Sequence, residues 1–173
     1  MSAVVGLAAL TAGCFQPLYG DKSVVPTAGL DDKLGTIDVM QIEAPNGTRL
    51  KRLAIEVRND LIFGLTGGGA AQTSAYVLKI QLASTQSQVI VDVNSNRPDI
   101  QNYGINASYT LTEVGTGKAV ISGTTFSRVS YNIPGQQQRF AGDRGLRDAE
   151  NRAAQVIADN IRNRLASYFV AGS

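Results

Sequence analysis

The sequence predicts an α+β fold: a two-layer sandwich in which a four-stranded sheet carries two amphipathic helices on one face, in the order β-α-β-β-β-α. Three observations carry this. Leu50, Leu53, Ala54, Val57, Leu61 and Leu65 recur at three- and four-residue steps, as do Leu146, Ala149, Ala153, Val156, Ile157, Ile161, Leu165 and Tyr168, so two segments present an apolar stripe at helical period. Residues 76–83 and 105–112 alternate apolar with polar, the period of a half-buried strand. With 173 residues, 43% hydrophobic and 17% charged, the chain suits one folded domain, not a disordered chain.

The N-terminus reads as an address. Ala3 to Leu10 is an apolar run too short for a permanent membrane helix, which needs about 20 residues, and it fits the core of a signal peptide. Leu10-Thr11-Ala12-Gly13-Cys14 follows and resembles a bacterial lipobox, with Thr11 where Leu is usual and no Lys or Arg before the run; a start further upstream is expected. The competing reading is a core segment with Cys14 as a buried thiol. On the lipobox reading, residues 1–13 are the signal peptide, Cys14 carries acyl chains such as palmitate, and residues 14–35 form a tether rich in Gly, Pro, Asp, Lys and Ser. Two or more buried acyl chains hold a protein on a bilayer firmly where one does so marginally. Phe15, in place of Asp, resembles outer-membrane sorting.

Residues 36–173 are then the single domain. Gly35–Glu43 predicts the first strand, ended by the Ala44-Pro45-Asn46-Gly47 turn signal. Thr48 is placed to cap a helix over 48–65, and Gly67-Gly68-Gly69 to end it, without the spacing of a phosphate-binding fingerprint. Residues 76–83 give strand two, continued by a strand-like stretch from Gln88 to Val93, and Asn94–Asp99 reads as a loop. Ile105–Thr112 is strand three. The Gly115-Thr116-Gly117 turn leads into strand four over 119–131, an antiparallel hairpin. Ser108, Thr110, Thr112, Ser122 and Thr124 give one sheet face a hydroxylated character. Gln136–Gln138 is a polar connection, and Asp143 is placed to cap a last helix of about 25 residues, or roughly 37 Å.

Composition narrows the chemistry. The chain has no His, no Trp and one Cys, which excludes a Ser-His-Asp triad, a Cys-His dyad, His-ligated zinc and an intrachain disulfide. Sixteen Lys+Arg against fourteen Asp+Glu argue against a polyanion binder, and the arginines of the last helix (Arg144, Arg147, Arg152, Arg162, Arg164) lack interleaved aromatics, so nucleic acid is not an expected partner. Asp143, Asp148, Glu150 and Asp159 share that helix with them and read as a solvated, salt-bridged face. Neither an enzyme nor a cofactor is expected.

The stretch Gly13-Cys14-Phe15-Gln16-Pro17-Leu18-Tyr19-Gly20, the Ser130-Tyr131-Asn132 strand end, and Arg147-Asp148-Ala149-Glu150-Asn151-Arg152-Ala153-Ala154 running into Ile161-Arg162-Asn163-Arg164-Leu165 resemble the LPS-assembly lipoprotein E family, in its alphaproteobacterial style. The resemblance implies a periplasm-facing outer-membrane lipoprotein that plugs and helps assemble the large lipopolysaccharide translocon β-barrel and assists lipopolysaccharide insertion. The partners implied are the barrel, lipopolysaccharide and, through the lipid on Cys14, the membrane. The hydroxylated face would suit the polar interior of such a barrel. Lipopolysaccharide contact through basic residues is also implied, and Arg97, Arg128 and Arg139 are chosen for it by their expected place near loops flanking the sheet, arginine being suited to phosphate. The alternative is a stand-alone periplasmic lipoprotein binding an anionic glycolipid or cell-wall fragment, which calls for a concave apolar pocket.

Overall fold

In the computed structural model the described residues are 29–68, 73–92, 97–133 and 139–171. Their order is α1 (Leu30–Gly35), β1 (Ile37–Val39), α2 (Arg49–Thr66), β2 (Tyr76–Asp92), β3 (Arg97–Glu113), β4 (Ala119–Asn132) and α3 (Arg139–Ala171). The strands form one sheet in sequence order, β1 parallel to β2 and the rest antiparallel. This is the expected α+β sandwich with one addition. The last six residues of the expected tether are helix α1, whose Leu34 is fully buried, so the folded part begins by Leu30 and the order is α-β-α-β-β-β-α. The signal segment 1–13 and Cys14 lie outside the described residues.

Helix α2 forms where its stripe and caps require. Thr48 Oγ1 accepts the Lys51 N–H at 3.2 Å, and Gly67, at φ +62°, closes the other end by donating its N–H to Phe63 O at 2.9 Å, a left-handed position that favours glycine. Leu53, Ala54, Val57, Leu61 and Leu65 are buried. Helix α3 is longer than expected, 33 residues or about 50 Å. It begins at Arg139, so Asp143 is an exposed residue inside the helix and not its cap. Val156 is 42% exposed, and Ala154, Ala158 and Ala166 join the core beside Ile157, Ile161 and Leu165.

The two long helices run parallel. Arg52 meets Glu150, and twelve residues on in each helix Gly64 approaches Arg162. Arg52 bonds both Glu150 Oε2 and, at 3.0 Å, Asn151 Oδ1. Glu150 is only 3% exposed whereas the Arg52 side chain is 35% exposed, so removing Arg52 would strand a buried carboxylate. Glu150 is therefore not part of the solvated face its helix was expected to present, whereas Arg152 and Asp148 do form an exposed i,i+4 pair at 2.7 Å. Between the same helices, burial raises the pKa of the Asp60 carboxyl, and Glu56 and Asp159 raise it further.

The strands differ from expectation chiefly in length. β2 is continuous from Tyr76 through Gln88 to Asp92, and the expected 94–99 loop shrinks because Arg97, Pro98 and Asp99 already belong to β3. Register shifts at Gln88/Ile90 and Ile90/Val91 place Pro98 beside an irregularity, where a residue without an N–H is tolerated. β1 is only three residues long, its Ile37 and Val39 buried. On β3, Tyr103, Ile105, Ala107, Tyr109 and Leu111 are buried under the helices while Asn106 and Ser108 are exposed. Across the ladder Tyr109 faces Gly123, and a Cβ there would lie 2.7 Å from Tyr109 Oη and 2.9 Å from Cζ; the ring occupies the space the glycine leaves.

Gly123→Ala is therefore expected to cost about 1–3 kcal/mol by overpacking, read as a lowered urea midpoint, whereas Gly115→Ala, with nothing within 4 Å of the new Cβ, should show no such clash. For Asp60, folding favours the protonated form, so its favourable contribution is complete below about pH 4 and is lost as pH rises through the raised pKa. Asp60→Asn should accordingly stabilise the domain at pH 7 by about 0.2–0.5 kcal/mol, the scale of a like-charge helical pair, with the gain vanishing in acid. A constant gain from pH 3 to 7 would contradict that origin.

Candidate docking surface

Both long helices lie on one side of the sheet, and among the described residues none covers the other. The ladder registers set out that open face row by row. Lys79, Thr110 and Ser122 stand side by side, then Gln81, Ser108 and Thr124, then Ala83, Asn106 and Phe126, then Thr85, Gly104 and Arg128, then Ser87, Asn102 and Ser130. These fifteen positions hold seven hydroxyls, three amides, two cations (Lys79 and Arg128) and Ala83, Gly104 and Phe126, and no carboxylate; the next row toward β1 holds Asp38 beside Val77 and Thr112. The hydroxyl residues expected on one face (Ser108, Thr110, Thr112, Ser122, Thr124) alternate with the buried set and do share this face.

Local contacts shape the surface. Ser130 Oγ donates to Asn102 Oδ1 at 2.6 Å, tying β4 to β3. A Cβ on Gly104 would meet Thr85 Oγ1 at 2.8 Å, so the threonine lies over the glycine and the row stays flat. A shallow depression of about 430 Å³ is lined by residues that include Gln81, Ala83, Asn106, Ser108, Thr124 and Phe126. Phe126 is 69% exposed on this otherwise polar face. Sequence reasoning did not single it out, because only the register shows its even-numbered position pointing away from the helices.

At the far end of the sandwich the helix-side face is polar as well. Tyr131 Oη donates to Gln101 Oε1 at 2.6 Å and accepts from Gln86 Nε2 at 3.2 Å. Tyr103 Oη and Glu150 Oε1 are buried without a hydrogen-bond partner. Burial pushes the Tyr103 phenol up, and Ser84, close by but short of hydrogen-bonding geometry, offsets part of the shift. A second, wider cleft of about 790 Å³ opens here between the sheet end and the first turns of α3, with Ile100, Tyr131, Ile133, Ala141 and Arg152 among its walls.

The three arginines chosen from sequence are not gathered in one place. Arg128 is an exposed residue within β4, opposite Gly104, and not in a loop. Arg97 opens β3 opposite Asp92, seven residues along the strand from Gly104, or about 23 Å. Arg139 is the first residue of α3, in the layer on the opposite side of the sheet from Arg128. Cys14, the expected lipidation site, lies outside the described residues. No group of three or more Cys, Asp or Glu side chains that could hold a metal is found among the described residues, and none of their helices is long and apolar enough to cross a membrane.

A one-sided α+β sandwich with a bare polar sheet face presents an open surface more than a deep site. The family model for lipopolysaccharide assembly, LptE, matches residues 34–165, and the chain belongs to that family. The family consists of non-enzymatic, cofactor-free lipoproteins with a role in lipopolysaccharide assembly. Solved structures share the fold. A Caulobacter crescentus protein described as a lipoprotein is 21% identical with a TM-score of 0.64, covering 84% of this chain and 98% of its own. Rare lipoprotein B from Shewanella oneidensis is 15% identical with a TM-score of 0.54, covering 78% and 98%, and a minor lipoprotein from Acinetobacter baumannii is 13% identical with a TM-score of 0.53, covering 78% and 94%. No curated protein matches the chain significantly.

Because Phe126 is exposed and packs into no core, Phe126→Ser is expected to leave folding stability within about 0.5 kcal/mol. A much larger loss in chemical denaturation would assign the residue to the core and remove it from the docking surface.

Proposed function

We propose that this protein is an outer-membrane lipoprotein, anchored through acylated Cys14, that docks in the lumen of the lipopolysaccharide translocon β-barrel, helps the barrel assemble and assists lipopolysaccharide insertion. Family membership supports the role in lipopolysaccharide assembly. The observation that carries the finer reading is the open sheet face: three adjacent strands whose outward side chains are chiefly hydroxyls and amides, with no carboxylate in the rows from Lys79 to Ser130, chemistry that suits the polar inner wall of a barrel. Phe126, projecting from its centre, adds an apolar anchor of the kind that concentrates binding energy. Arg128 sits on this face and Arg97 at the tip of the β2–β3 hairpin, where phosphates of lipopolysaccharide passing the plug would meet guanidinium groups; Arg139 would serve the same ligand from the start of α3.

A stand-alone lipoprotein that binds an anionic glycolipid is the second reading, favoured by the cleft beside Ile100 and Ile133 with Arg152 at its wall. A pull-down separates the two. Tagged full-length chain recovered from detergent-solubilised outer membranes is expected to retain a large β-barrel protein in stoichiometric amount after a stringent wash, and Phe126→Ser to reduce it. Recovery of folded, acylated chain without any barrel would overturn the plug reading in favour of the second.

A further inference from the structure

We propose that the end of the domain at which the N-terminal segment enters is a bilayer-contact surface, seated on the zwitterionic lipid headgroups of the leaflet that holds the anchor. The inference rests on the reading of Cys14 as acylated. The elements converge on this end in a defined way. The parallel helices α2 and α3 both finish here, β2 starts here, and the β3–β4 turn lies here. Thr36 O, just after α1, accepts the N–H groups of Ala75 and Tyr76 at 3.0 and 3.3 Å, and Ala75 O accepts the Val114 N–H at 2.9 Å. Tyr76 packs edge-on against Phe169 with centroids 5.2 Å apart. One short chain of contacts thus links Thr36, the β3–β4 turn and the last turn of α3, and the described chain begins at Gly29, only the length of α1, about 10 Å, before Thr36.

Three large apolar side chains at this end face solvent: Phe63 at 70% exposure in the last turn of α2, Val114 at 54% in the turn, and Val170 at 52% beside Phe169. None has a core to fill, and each belongs to a different element, so together they skirt the end instead of lining one stripe. Chain length favours this end over the other. Gly29 is fifteen residue steps from Cys14, a reach of at most about 50 Å fully extended, and the opposite end lies about the length of α3, another ~50 Å, further away. An anchor in the bilayer therefore brings the Gly29 end to the surface first. Charge selects the lipid. Asp31, Asp32, Asp38 and Glu113 are balanced here by Lys33, Lys118, Arg162 and Arg164, so this end has no net charge to draw it to anionic headgroups, and seating relies on apolar side chains entering a zwitterionic interface.

The absence of tryptophan from the chain makes the test clean. Acylated full-length chains carrying Phe63→Trp, Val114→Trp or Val170→Trp, with Phe126→Trp and Phe140→Trp as exposed controls elsewhere, are reconstituted on phosphatidylethanolamine–phosphatidylcholine vesicles containing a nitroxide-labelled lipid. Emission from the first three is expected to shift to the blue and be quenched by the labelled lipid, while the controls keep an aqueous spectrum. Vesicle flotation separates the two ways of failing. Chain that does not float with the vesicles overturns the anchor reading and the seating with it. Chain that floats, yet shows no more quenching at Phe63, Val114 and Val170 than at the controls, overturns the seating alone.

Discussion

The rest of the structure depends on one contact: the parallel packing of α2 and α3 over a single side of the sheet. Small side chains allow it. Ala54 on α2 and Ala149, Ala153, Ala154, Ala158 and Ala166 on α3 are all buried, so the backbones approach closely and the larger Leu and Ile residues are left to fill the gap down to the strands. Arg52 and Glu150 then set the register between the helices. The desolvation of Glu150 means that this tie contributes more to choosing one alignment than to raw stability, since a buried ion pair roughly offsets its own cost. With both helices committed to one side, the opposite face is bare by construction.

That bareness explains the composition of the strands. A sheet covered on both faces would need near-continuous Val, Ile and Leu, whereas here β3 alternates Ile105, Ala107, Tyr109 and Leu111 with Asn106, Ser108, Thr110 and Thr112. The outward residues all have short polar tips, and Thr110 and Thr112 are also β-formers, which holds the face flat and leaves hydrogen-bonding groups for another polar surface. Beyond Leu82 the helices no longer cover β2, and Ser84 to Gln88 are exposed on both faces. This stretch of β2 is thereby a polar strand edge, held by its ladder to β3, which β4 in turn pairs as far as Ile100.

What was legible in the sequence followed from local periodicity. Helix α2 and its Thr48 cap could be read because the cap, the stripe and the terminating Gly67 agree with one another. Helix α1 could not, since six residues hold too little period to separate a helix from a tether; Leu34 is recognisable as core only once α2 and α3 are in place above it. The α3 stripe was misjudged at Val156 because in an alanine-rich helix the small residues carry the buried face, and hydrophobicity alone points to the larger neighbour. Glu150 was read as solvated because its partner lies 98 residues away, beyond any i,i+4 rule. The loop expected over Asn94–Asp99 was too long at its far end, the ladder with β2 and its bulges drawing Arg97 and Pro98 into pairing, and residues 94–96 lie outside the described ones. The docking face was legible as alternation, and Phe126 was not, because which of two faces a strand residue meets is decided by register with its neighbours.

The polarity of the domain now has a direction. Its apolar fringe of Phe63, Val114 and Val170 lies where the chain from Cys14 enters, while the polar edge of β2 and the residues Arg97 and Arg128 lie toward the other end. A domain held by its fringe at a lipid surface would stand with the helix axes away from the membrane plane, and its bare face would then lie along the membrane normal. The sheet face is then parallel to the axis of a barrel whose strands cross the bilayer, the alignment it needs to pass from the seated position into the lumen. Anchor, fringe and open face thus act in sequence: the lipid confines the domain, the fringe limits its tilt, and the face is left free to make the polar contacts that fix its place.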